Sequence, residues 1–452
     1  MNNKFKNIII ANDAEEFEFI ICTIKNSVER VAKINKEHYL SSRFLFWEAD
    51  SKIVITPFAI EEALMIQAKN IGFKNIENWY PLKINVRLST AIHQDKALLR
   101  KLKITIRKNP GIILSPYSYT EDFANLSSLL RKDGLHFNVD QAPSKNSEWL
   151  VTYLGSKIGF RTEIQKLQTA GNKIPTPEYF ICTDRREITK TALWFYEKNK
   201  SCVVKAFSGE GGWGVLMVLK DNYGSSLNLQ RMLQSELDAD SIWSYGPYVV
   251  EEFVASMSND QNSPSLEVFI DDKEARITYV CNQLVDSSGH FMGILMGKNC
   301  LERNLQSRLC EIGQTIANRY SNLGYRGFFD IDFIVSKNGI PYPIETNVRR
   351  TGGTHVFDLS KHIFGKDWFK KTVVLSSDSF KYPGVVLSAE AILDRIAEIS
   401  FPIRAENKGV IVAAVSSHEP VFAFVIFAST KKEVMQIHEK LTKIWDSDTL
   451  NM

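Results

Sequence analysis

The chain has no apolar run near the roughly 18 uninterrupted residues that mark a membrane-crossing helix. Its N-terminal isoleucine run, residues 8–10, is too short for the core of a secretion signal and reads as a first strand. Cysteine is scarce: Cys22, Cys182, Cys202, Cys281, Cys300 and Cys310 are the only six, and no two are spaced as CxxC. That excludes a zinc ribbon or a disulfide framework and points to reduced thiols in a cytoplasmic protein. The formal net charge is only +3 over 452 residues, with no block of five or six basic residues, so neither nucleic acid nor a membrane is an expected partner. No GxxxxGK[ST] loop occurs, and no GxGxxG opens a helix after a strand, which excludes P-loop and Rossmann phosphate sites. Internal repeats and low-complexity tracts are absent as well.

What is present is ordinary for a globular protein, 44% hydrophobic and 24% charged, in a chain too long for one core. Residues 1–150 alternate short apolar runs (8–10, 53–56, 111–114) with helical patterns (60–71, 119–130), the signature of a small parallel-sheet α/β domain. From 151 to 372 the pattern becomes α+β. A helix near 158–170 is stopped by Gly171 with Pro175 and Pro177, and strands follow at 202–207, 248–254, 266–270, 327–335 and 340–347. Residues 373–452 read as a small terminal α+β unit, with strands at 410–415 and 421–427 and a helix at 431–445.

The segment 329–350, FDIDFIVSKNGIPYPIETNVRR, carries the most chemistry. Asn338-Gly339 is a strong two-residue hairpin signal. Counting outward from it pairs Asp332 with Glu345 and Asp330 with Asn347, and keeps Pro341 and Pro343 at positions that need no N–H. Asp332, Glu345 and Asn347 then share one face, with opposed β-carbons roughly 5 Å apart. Opposed carboxylates repel, so the register makes sense around a hard cation such as Mg²⁺, which takes a few protein oxygens and completes its shell with water and phosphates. The plain alternative is a surface hairpin with a solvated acidic face.

Other candidates flank it. Ser208, Gly209, Glu210, Gly211, Gly212, Trp213 and Gly214 follow the strand 202–207 that contains Lys205, and glycines let backbone N–H groups close around phosphate oxygens. Lys205, among apolar neighbours, needs an anionic partner, and a phosphate suits it. Glu251, Glu252, Phe253 and Val254 end a strand where backbone groups could read an adenine edge, and Glu267 could supply an acid for ribose hydroxyls. Arg349, Arg350, Gly352 and Gly353 follow the hairpin directly and suit a carboxylate or an acylphosphate.

Lysine strand, glycine loop, VVEEF hinge, DIDFIV strand and ETNVRR element occur in the order found in ATP-grasp ligases, and the resemblance covers about residues 151–372. It looks closest to the pheganomycin-type peptide ligases, which have a preceding α/β domain and a small C-terminal domain. The resemblance implies ATP and Mg²⁺, or Mn²⁺ in its place. Lys205 and the 208–214 loop would hold phosphates, residues 251–254 adenine, and Asp332, Glu345 and Asn347 the metal. Lys157 resembles the earlier phosphate-binding lysine, with Arg161 as the alternative, and the insertion 255–265 leaves the ribose role of Glu267 open. A small-molecule carboxylate and an amine, an amino acid or peptide, would be joined through an acylphosphate with release of ADP and phosphate, Arg349 and Lys205 assisting. Arg276 and His290 are added as substrate contacts, and a homodimer is compatible with the resemblance. Bicarbonate-dependent carboxylation and a non-catalytic nucleotide-binding protein are the rival readings.

Overall fold

In the computed structural model, described over residues 5–48, 50–143, 146–209, 212–256, 263–285 and 291–446, three sheets carry the chain. The first comprises β1 (Asn7–Ile10), β2 (Lys52–Ile55), β3 (Ile76–Trp79), β4 (Ile113–Pro116) and β5 (Asn138–Val139), all parallel in the order β3-β2-β1-β4-β5. β1 and β2 are buried along their whole length, and apolar apart from Asn7 and Lys52, as strands covered by helices on both faces must be. Strand order reverses between β1 and β4. In such sheets the crevice for a ligand opens at the carboxyl ends of those two strands.

The second sheet is small and antiparallel: β6 (Tyr179–Cys182), β7 (Cys202–Lys205), β8 (Val215–Val218) and β9 (Tyr248–Glu252), in the order β6-β9-β7-β8. Helices Arg185–Glu197 and Ser226–Ala239 cover one face with Ile188, Phe195, Leu229 and Leu233. The third sheet has eight strands: β10 (Pro264–Ile270), β11 (Ala275–Val285), β12 (Phe291–Gly297), β13 (Gly327–Val335), β14 (Pro341–Asn347), β15 (Val373–Lys381), β16 (Gly409–Val415) and β17 (Val421–Ala428). Its order is β14-β13-β10-β11-β12-β15-β17-β16. The terminal segment, expected as a unit of its own, therefore continues the central sheet: β15 hydrogen-bonds to β12 and receives β17 on its other edge. Helix Arg303–Leu323 packs Leu309, Ile316 and Tyr320 against Leu266, Phe329 and Ile331 beneath the β14 end.

The β13–β14 hairpin places Asp330 opposite Asn347 and Asp332 opposite Glu345, the expected pairs, by a route the sequence did not suggest. The turn holds three residues rather than two: Ser336 N–H donates to the Ile340 carbonyl (2.9 Å), Gly339 N–H donates to the Ser336 carbonyl (2.8 Å), and Gly339 takes a φ of 71°. That moves the first pairs by one residue, Val335 with Pro341 and Phe333 with Pro343. A β-bulge beyond Phe333 then absorbs Ile344 and restores the register at Asp332. Both prolines remain at positions where no N–H is needed.

The first and third sheets are joined by Arg350. Its guanidinium is buried and pairs with Glu48 (2.8 Å) and Asp140 (2.5 Å), lying 3.9 Å from the Phe328 ring and 4.8 Å from that of Trp47. Its backbone N–H donates to the Tyr117 carbonyl just past β4 (3.1 Å). Expected at the substrate, Arg350 is instead a clamp between sheets, because every face of its side chain is occupied. Truncation would leave two acids in the interface without their cation, so Arg350→Ala is expected to cost about 3–5 kcal/mol in urea unfolding. Arg350→Lys should recover little of it, since a point charge cannot bridge both acids. A loss under 1 kcal/mol would refute the clamp.

Candidate active site

The acidic face of the β13–β14 hairpin meets three cations. Ser156 caps helix Lys157–Thr169 by accepting from Gly159 N–H, and one helical turn puts Lys157 and Arg161 on the same side. Lys157 forms an ion pair with Glu345. Arg161 holds Glu251 through two bonds (2.6 and 3.0 Å) and donates to the Pro343 carbonyl (3.1 Å). Lys205, at the end of β7, pairs with the other oxygen of Glu251 (2.5 Å) and reaches the Ile344 carbonyl at 3.5 Å. The bulge at Ile344 thus turns two backbone carbonyls toward Arg161 and Lys205. The alternatives Lys157 and Arg161 are both in the cluster, on different acids.

The electrostatics are those of a site with its charges pulled close. Burial alone would raise the Glu345 carboxyl, but the Lys157 and Lys205 charges outweigh it and bring it down to about 2. Burial lowers Lys205, with the Glu251 charge opposing. Burial would raise Glu251 too, and Arg161 and Lys205 together hold it below the usual range. Asp332 behaves oppositely: burial, then the Asp330 and Glu345 charges, push it well above the ordinary value. Asp330 rises to about 6, chiefly through burial against the Arg349 charge. Asp332 accepts from the Gln283 amide on β11 and from Asn347 Nδ2 (3.0 Å).

Among the described residues no group of three or more His, Cys, Asp or Glu side chains is arranged to hold a metal ion. Two carboxylates and one amide do converge. Asp332 carries more negative potential than its two amide donors relieve, and Asn347 offers an amide oxygen once its amide is turned. Two acids and an amide fit a hard cation that draws its remaining ligands from phosphate and water.

The remaining candidates divide. Ser208, Gly209, Gly212, Trp213 and Gly214 form the β7–β8 connection; Glu210 and Gly211 lie outside the described residues. Glycine is required at 209, where a β-carbon would lie 2.3 Å from the Trp213 carbonyl, and Gly214 has a φ of 74°. Glu252 is spent on Lys200 (2.9 Å), while Phe253 and Val254 leave the small sheet toward the hairpin, where Lys337 N–H donates to the Ala255 carbonyl (3.1 Å). Arg349 sits at the crevice of the first sheet, 5.0 Å from the Phe17 ring and 5.6 Å from that of Tyr117, with Glu16 at 3.7 Å. Gly352 and Gly353 precede helix Thr354–Phe364.

Two expectations are corrected. Glu267, expected at a ribose, is fully buried on β10 opposite Asp330, its oxygens taken by Thr278, Tyr279 and Thr354. Arg276, expected at the substrate, is held by Asp271 (2.8 Å) at the exposed β10–β11 turn. It pairs with Phe269, four residues along β10 from Ser265, the partner of Asp332, so it is offset along the strands by roughly 13 Å at about 3.3 Å per residue and stands two strands across. His290 lies outside the described residues. Sequence reasoning missed Gln283, Tyr279 and Thr354, which no motif marks and only the order of strands brings to the site.

The Lys157–Glu345 pair occupies an acid that a cation would need. Lys157→Met should therefore bind Mn²⁺ without nucleotide about tenfold more tightly than the unaltered protein, read by the electron paramagnetic resonance of free Mn²⁺. Equal affinities would show that Glu345 takes no part in metal binding.

Residues 161–353 match the family model of the ATP-grasp domain. No curated protein matches the sequence. Among solved structures, an N5-carboxyaminoimidazole ribonucleotide synthetase in complex with ADP aligns at 10% identity and a TM-score of 0.56, covering 98% of this chain and 97% of its own. The carboxyaminoimidazole ribonucleotide synthase of Aspergillus clavatus, complexed with ATP, aligns at 10% identity and a TM-score of 0.55, covering 99% and 100%. Biotin carboxylase from Campylobacter jejuni aligns at 13% identity and a TM-score of 0.52, covering 96% and 90%. At such identities the likeness is one of fold. The segment 161–353, which carries the charged site apart from Lys157, is thus similar to the ATP-grasp domain, and the chain as a whole shares its fold with these synthetases and carboxylases.

Proposed function

We propose that the protein is an ATP-dependent carboxylate–amine ligase that forms an amide or peptide bond through an acylphosphate and releases ADP and phosphate. The observation that carries this reading is the convergence of Asp332, Glu345 and Asn347 with Lys157 and Lys205 across the cleft between the small and central sheets. Lys157 and Lys205 exchange their carboxylate partners for phosphate oxygens of ATP, and the backbone amides of the 208–214 loop close over them. Asp332, Glu345 and Asn347 would hold Mg²⁺, which supplies neutralisation of phosphate charge. Strand end and hinge, residues 251–254, offer backbone groups to adenine.

Arg349 stands on the other side of the hairpin, at the crevice of the first sheet, where a carboxylate substrate can be aligned with the γ-phosphoryl group. The carboxylate oxygen attacks phosphorus and ADP leaves. The amine nitrogen then attacks the acyl carbon, phosphate leaves, and the nitrogen gives up a proton. Positioning and charge neutralisation carry the catalysis, and no side chain needs to be a covalent nucleophile. The resemblance to pheganomycin-type peptide ligases supports an amino acid or peptide as substrate. A second reading, carboxylation with bicarbonate as the activated acid, is favoured by the fold shared with carboxyaminoimidazole ribonucleotide synthases and biotin carboxylase.

With ATP, Mg²⁺ and pools of amino acids and peptides, ADP and phosphate should appear only when acyl and amine substrates are both supplied. Asp332→Ala or Glu345→Ala should lower that rate by about 10²-fold or more. A dependence on bicarbonate would select the second reading. AMP with pyrophosphate would overturn both.

A further inference from the structure

Glu267 has no role in the reaction as outlined, yet it is fully buried on the same face of the central sheet as the acids of the site. Its Oε2 accepts from the Thr354 hydroxyl (2.6 Å) and, more loosely, from Tyr279 (3.4 Å), and its Oε1 accepts from Thr278 (2.9 Å). Thr354 opens the helix that follows Arg349, and its hydroxyl also accepts from Thr351 N–H (3.1 Å). Tyr279 shares a further bond with the Thr351 hydroxyl (3.0 Å). The turn is pressed so close that a β-carbon on Gly353 would lie 2.3 Å from the Tyr279 oxygen.

We infer that Glu267 is a positioning residue: through Thr354 and Tyr279 it fixes the turn 349–354 on the sheet, and so sets where Arg349 stands. Thr354 bonds the carboxyl group itself and Thr351 bonds the Tyr279 hydroxyl that also reaches it, so the turn cannot lift without breaking both bonds. Glycine at 353 is explained by the same contact. The importance of the inference for catalysis rests on the ligase reading, which gives Arg349 a substrate to meet, but the placement of the turn does not.

The groups that face Glu267 are Asp330 on β13, Tyr325 just before it, Tyr279 and Cys281 on β11, and Arg350 from the loop after β14. Burial dominates and raises its carboxyl to about 8, with Thr354, Arg350 and Thr278 offsetting only part. Because the folded value lies above the ordinary 4.5, the contribution is complete below about 4.5 and is lost as pH rises through about 8. Glutamine, neutral and of the same shape, should replace the acid and remove that dependence.

Hydrogen exchange of the turn in the full chain, followed by mass spectrometry and corrected for intrinsic rates, tests this without any substrate. At neutral pH, Glu267→Ala and Thr354→Val should exchange residues 349–356 about tenfold faster than the unaltered protein, with Glu267→Gln unchanged. Between pH 6 and 9 the unaltered protein should lose protection there relative to Glu267→Gln. Should Glu267→Ala fail to fold, Thr354→Val carries the test, since it leaves the acid in place. Unaltered exchange in Thr354→Val, or exchange in Glu267→Gln as fast as in Thr354→Val, would overturn the inference. A protein that turned over no ATP would defeat the ligase reading and leave this result standing.

Discussion

Two carboxylates set directly against each other, Asp332 on β13 and Glu345 on β14, are the constraint around which the rest is arranged. Like charges at that spacing repel, and partial burial strengthens the repulsion. The chain answers with cations from two separate elements: Lys157 from the start of a helix and Lys205 from the end of β7. Lys205 shares the carboxylate of Glu251 with Arg161, while Lys157 pairs with Glu345 itself. On the proposed function these partners are exchanged: phosphates for the acids on the lysines, a hard cation for the lysine on Glu345.

The same hairpin ties the site to the rest of the molecule. Arg349 and Arg350 follow Asn347 and Val348 immediately but face different tasks. Arg350 is enclosed by Glu48, Asp140 and two aromatic rings and fastens the parallel sheet to the central one. Arg349 is thereby held at the carboxyl ends of β1 and β4, where the order of the parallel sheet reverses. The N-terminal domain thus supplies the wall against which a substrate on Arg349 would rest.

Much of this was legible in the sequence because it depended on local spacing. Alternation of strand and helix pointed to the parallel sheet, and the ordered motifs pointed to the domain that residues 161–353 match. The register at Asp332 and Glu345 was also foreseen, though the three-residue turn and the bulge at Ile344 are two departures that cancel. Neither leaves a mark in residue type, since Asn-Gly serves both turns. Residues whose roles come from distant pairing were not legible. Glu267 looked like an acid beyond a hinge, and only the pairing of β10 with β13 and the return of Thr354 bury it. Arg350 looked like the partner of Arg349, and only the docking of the first sheet shows it enclosed. The terminal strands read as a unit because nothing in 373–452 reveals that β15 adds to β12.

The central claim is that Asp332 and Glu345 recruit a metal together with a nucleotide. Calorimetric titration of ATP into the protein, with Mg²⁺ and with the metal chelated away, tests it directly. The account expects binding at least about tenfold tighter with Mg²⁺, a gap that closes in Asp332→Ala. Equal affinity in the two conditions would contradict it.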